Sequence, residues 1–86
     1  MPADQALMDE LQHNFAVFEK ALPGLLREHR KQYALMRHGE IVEFFDTAAD
    51  AVRAGRQLYP DDLFSIQGVT DRPIDLGYHS HAINSL

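Results

Sequence analysis

No cysteine occurs among the 86 residues, which excludes disulfides, thiolate metal sites and cysteine nucleophiles together. Small secreted domains generally depend on disulfides, so this absence points to a reducing, cytoplasmic home. Long apolar runs are missing as well. Uninterrupted apolar stretches last only a few residues, far short of the roughly 20 needed to cross a bilayer. The opening Met1-Pro2-Ala3-Asp4-Gln5 has neither a basic n-region nor an apolar h-region, and so predicts no secretory signal. Net positive charge is lacking too. A formal charge of −5 repels a phosphate backbone and argues against broad nucleic-acid binding. The five glycines, Gly24, Gly39, Gly55, Gly68 and Gly77, are scattered, so no glycine-rich loop is present to cradle phosphate. Nor does the chain show a Ser-His-Asp arrangement in readable order, although such triads are set by geometry rather than by spacing.

What is present has ordinary globular composition, with 45% hydrophobic and 24% charged residues. The length suits one domain over residues 1–86, burying about 60–65% of its unfolded surface. Leu7, Leu11, Phe15, Phe18 and Leu22 recur at steps of three and four, which predicts an amphipathic helix from Asp4 onward with Asp9 and Glu10 on its solvent side. Pro23 and Gly24 interrupt that pattern, and proline suits the first turn of a new helix, so residues 23–29 read as a short second one.

The period then changes to two. Residues 32–37 and 40–45 read as strands joined by a tight His38-Gly39 turn, with glycine supplying a positive φ. Tyr33, Leu35, Ile41 and Phe45 are candidates for the packed face, while Val42 and Phe44 leave the register open. Thr47, with Asp50 three residues on, resembles a capping box for a helix bearing Ala48, Ala51, Val52, Gly55, Leu58 and Tyr59 on its apolar face and ending before Pro60. Residues 63–69 read as a third strand, and 70–86 as a final strand or arm. The predicted class is α+β: an N-terminal helix and short helix, a β-hairpin, a helix, then one or two further strands. Together they form a small sheet covered by helices on one face.

The run Phe44-Phe45-Asp46-Thr47-Ala48-Ala49-Asp50-Ala51-Val52-Arg53-Ala54-Gly55, followed by Phe64-Ser65-Ile66-Gln67 and preceded by Leu22-Pro23-Gly24-Leu25-Leu26, resembles a family of small uncharacterised prokaryotic α+β proteins. The resemblance covers about residues 18–69 and lies in capping, turn and core positions. It implies a shared fold, a helix-flanked hairpin followed by helix and strand, and no particular activity.

Three features could carry chemistry. Asp46-Thr47-Ala48 matches the triplet of aspartic proteases, where two aspartates share a proton across a dimer axis. Helical spacing follows it, however, and a strand end with an N-cap explains the same residues. On a C-terminal strand, Asp75, His79 and His81 would share one face, and two imidazoles with a carboxylate could hold zinc. A solvated strand face or tail is the bland alternative. Lastly, four of the eight Lys and Arg residues, Arg27, Arg30, Lys31 and Arg37, fall within one short stretch that could dock a protein partner. The same cations also suit a helix C-terminus and a solvated hairpin. The sequence therefore predicts a non-enzymatic protein-interaction or regulatory, inhibitor-like module, acting on a protein partner or by self-association as a homodimer. The alternatives are a metal-binding protein built on Asp75, His79 and His81, and a minimal aspartate-dependent hydrolase using Asp46.

Overall fold

Ala34, Leu35 and Met36 are consecutive and all fully buried, so the strand that carries them must be covered on both faces. The computed structural model describes residues 2–71. In it helix α1 (Pro2–Glu28) leads into strand β1 (Tyr33–Arg37), strand β2 (Glu40–Phe45), helix α2 (Ala48–Leu58) and strand β3 (Ser65–Gly68). The three strands form an antiparallel sheet in the order β2-β1-β3. One face packs Ala34 and Met36 against Phe18 of α1, with Val69. The other packs Leu35 and Ile66 against Ala51 and Val52 of α2, with Phe64. The helices thus lie on opposite faces, where the alternation had suggested one. A central strand apolar from Tyr33 to Met36, with Ala34, Leu35 and Met36 buried in succession, leaves neither face to water.

The N-terminal third is one helix, not two. Pro23 lies inside α1, although an internal proline removes a backbone hydrogen bond at a cost of about 3 kcal/mol. Packing on both sides offsets this. Phe18 is fully buried upstream, and Leu22, Leu25 and Leu26 pack around the same cluster, with full burial of one such side chain worth ~1.5–3 kcal/mol. Pro23 itself stays on the exposed face of the helix.

Arg37 faces Glu40 across the hairpin, so His38 and Gly39 form a two-residue turn, with φ of 53° and 81°. The pairing then shifts from Met36 with Ile41 to Leu35 with Glu43, which makes Val42 the extra residue of a β-bulge. This resolves the uncertain register. Ile41 and Phe44 turn toward α1, while Phe45 joins Tyr33 and Leu35 on the α2 face. Of the four residues expected on a common face, Ile41 alone lies on the other.

Thr47 caps α2 as its spacing suggested. It has extended backbone angles, and its hydroxyl accepts the Asp50 N–H at 3.1 Å. Inside that helix Gly55 sits against the Phe64 ring so closely that a Cβ there would lie 2.5 Å from a ring carbon.

Candidate functional site

Two polar residues lie on the core-facing stripe of α1. Asn14 is fully buried and Glu10 nearly so, and their i,i+4 spacing stacks them on one face of the helix. Asn14 is satisfied from several sides. Its amide nitrogen donates to Glu10 Oε2 at 3.0 Å and to Ser65 Oγ at 3.0 Å, and its carbonyl oxygen accepts the Gly39 N–H at 2.6 Å. Glu10 Oε2 also accepts the His38 backbone N–H at 2.7 Å, while Oε1 meets His38 Nδ1 at 2.8 Å. The tip of the hairpin is therefore tied to the helix through side chains that satisfy its otherwise free backbone donors.

The charge on Glu10 is set by opposing effects. Burial favours the neutral acid, but the hydrogen bonds from the His38 backbone, the Asn14 amide and the His38 ring outweigh it and hold the carboxyl below its ordinary range. The imidazole it holds is 59% exposed, whereas the Glu10 side chain is only 6% exposed. His13, on the next turn of α1, covers Gly39 so closely that a Cβ at 39 would collide with its ring.

A second polar cluster pins the loop between α2 and β3. Arg37 makes a two-pronged pair with Asp61, at 2.7 and 3.1 Å, donates to the Leu63 carbonyl at 3.0 Å, and lies 4.5 Å from the Tyr59 ring centre. The guanidinium and the Leu63 N–H draw the Asp61 carboxyl down, and Asp61 in turn raises Arg37. Arg37 had been grouped with the docking cations. Its fork is committed inside the fold, because its strand position aims it at Asp61.

The other three docking cations lie where α1 ends. Arg27 occupies the last turn, Lys31 follows in a left-handed conformation at φ 71°, and Arg30 reaches Asp71 at 2.7 Å. Lys20 is two turns before Arg27 on the same outward face, with exposed Pro23 and Gly24 between them. At the adjacent corner the His29 ring stacks on Phe44, with centroids 3.5 Å apart and planes nearly parallel.

Asp46 accepts a hydrogen bond from the Gln32 amide at 3.2 Å and precedes the Thr47 cap directly, as the structural reading of that triplet expected. Asp75, His79 and His81 lie outside the described residues. Among the described residues no group of three His, Asp or Glu side chains is arranged to hold a metal ion, and no helix is long and apolar enough to cross a membrane.

Sequence reasoning missed the Glu10–Asn14–His38 cluster: the helical pattern puts Glu10 on the solvent side of α1, whereas the hairpin tip folds over it and buries it. The signals were two polar residues flanking Leu11 at the spacing of the apolar stripe, and a histidine at a turn position that favours asparagine.

Fold and site together define a small α+β domain in which a three-stranded antiparallel sheet lies between two helices. Comparison with protein-family models, with curated proteins and with solved structures returned no match.

Proposed function

We propose that this chain is an interaction module that docks an acidic segment of a protein partner on the strip where α1 ends. The observation that carries this reading is a contrast in how the cations are used. Arg30, Arg37 and Arg53 each hold a carboxylate of the chain itself. Lys20, Arg27 and Lys31 hold none among the described residues. In a chain of formal charge −5, exposed cations left together on one edge favour a partner of opposite sign. The residues between them, Pro23 and Gly24, are small and would let an extended segment approach closely. The bland contribution of Arg27, its favourable place at a helix C-terminus, does not extend to Lys20 or Lys31. The resemblance over residues 18–69 is to a family without an agreed activity and adds nothing to this reading.

The test is titration of 15N-labelled protein with an oligoglutamate peptide, with a single-stranded oligonucleotide in parallel. Peptide binding should shift amides of residues 20–31 and weaken as salt is raised. It should vanish in the triple variant Lys20→Glu, Arg27→Glu, Lys31→Glu. No shift at low salt, or tighter binding of the oligonucleotide, would overturn the assignment.

A further inference from the structure

The Glu10–His38 pair is built for more than holding a turn. Oε2 of Glu10 already accepts two N–H donors, from Asn14 at 3.0 Å and from the His38 backbone at 2.7 Å. Oε1 lies 2.8 Å from His38 Nδ1. A carboxylate collecting donors in this way is stabilised as the anion, so in this contact the ring must donate. The neutral imidazole is thereby fixed with its proton on Nδ1, leaving the lone pair on Nε2. With the carboxylate buried and the ring 59% exposed, the basic nitrogen belongs to the part that meets solvent. Backbone hydrogen bonds of both turn residues, to Glu10 and to Asn14, hold the base of the ring in place.

We propose that this pair is a nucleophilic site at which His38 Nε2 takes an acyl group from an uncharged activated ester and passes it to water. The surrounding charge selects the electrophile. Glu10 and His13 face the turn from α1, Glu40 follows it on β2, and Asp61, ahead of β3, is paired with Arg37. Ser65 of β3 is engaged below by Asn14. Carboxylates dominate this setting, so phosphorylated and carboxylated electrophiles are repelled while neutral esters approach freely.

In the first step the Nε2 lone pair attacks the carbonyl carbon, and the alkoxide or phenolate leaves with the electron pair of the broken C–O bond. The acyl-imidazolium keeps its Nδ1–H on Glu10. Water then attacks the same carbonyl and gives one proton through solvent to the expelled alkoxide or phenolate; the carboxylic acid departs with the water oxygen, and the Nε2 lone pair is restored. The net reaction is ester plus water to acid plus alcohol. His38 is the catalytic residue and Glu10 a positioning residue. This site is distinct from the cationic strip, so either proposal can fail alone.

The experiment uses the full chain with p-nitrophenyl acetate, compared with free N-acetylhistidine amide at five equivalents, matching the five histidines. The chain should exceed that reference about tenfold, and His38→Gln should bring the rate back to about that of the reference, a modest effect beside ordinary general-base catalysis. Glu10→Gln should slow the reaction similarly while Glu10→Asp retains part of the rate. In 15N spectra at alkaline pH, His38 should show the Nδ1–H tautomer in the wild type, with Glu10→Gln shifting it toward Nε2–H. A glutamate that only supports the fold would lower the folded fraction in Glu10→Gln but leave the rate per folded chain unchanged. Should a variant fail to fold, carbethoxylation of the wild type mapped by mass spectrometry serves instead, and His38 should react first. An unchanged rate in His38→Gln, a wild-type rate equal to the free histidine reference, or His38 reacting no faster than the other histidines would overturn the proposal.

Discussion

Removing the Glu10 carboxylate tests how the hairpin is held on α1. In Glu10→Ala the Asn14 amide keeps Ser65 Oγ at 3.0 Å and the Met36 carbonyl at 3.4 Å as acceptors, so it is not orphaned. The His38 backbone N–H loses its partner, as does the ring Nδ1. An unsatisfied half-buried donor costs about 1 kcal/mol, and a lost charge-assisted contact about as much again. The expected loss is therefore about 2 kcal/mol at pH 7, or a fall in melting temperature of roughly 8–16 °C for a domain this size. The effect also has a pH signature. Because folding holds the Glu10 carboxyl below its ordinary value of 4.5, the unfolded chain takes up this proton first as pH falls. The carboxylate's contribution is complete above about 4.5 and disappears as pH drops through the lower folded value. Urea unfolding of wild type and Glu10→Ala should thus give curves well separated at pH 7 that converge toward pH 3. A gap of the same size at pH 3 would refute the assignment of the stabilisation to the ionised carboxylate.

Other substitutions probe the remaining joints. Gly55→Ala adds a Cβ that would sit 2.5 Å from the fully buried Phe64 ring; overpacking of about 1–3 kcal/mol should exceed the ~1 kcal/mol gained in helix propensity, and thermal melts should show a net loss that Phe64→Leu partly relieves. Thr47→Ala removes the hydroxyl that accepts the Asp50 N–H and should cost about 1 kcal/mol by denaturant unfolding. Arg37→Lys keeps the charge but cannot reproduce the two-pronged Asp61 pair or the contact with Tyr59. Amide exchange at Leu63, whose N–H is held by Asp61, should speed up, and unchanged exchange would show that the clamp does not order this loop.

The sequence was most informative where a signal is local. The Thr47 cap follows from its spacing to Asp50, and the His38-Gly39 turn from a glycine between two runs of period two. It misled where packing overrode a local rule. Pro23 reads as a break because it removes a helical hydrogen bond, yet Phe18 and Leu25 share one apolar cluster across it, and that shared burial keeps the helix whole. The bulge at Val42 was equally hidden, since one extra residue in β2 changes which side chains face which helix without altering composition.

The candidate sites divide in the same way. Arg27, Arg30 and Lys31 are close in the chain and lie close at the end of α1. Arg37 belongs to the same stretch, but the fold brings Asp61 to it from 24 positions away. Glu10 and His38 are 28 apart and Asn14 and Ser65 are 51 apart, separations at which spacing carries no information. Sequence alone determined the element types and the caps and turn, because these depend on neighbours along the chain. Only the tertiary structure decided which polar groups meet, because the energy that favours burying Glu10 as an anion arises from donors supplied by a distant turn.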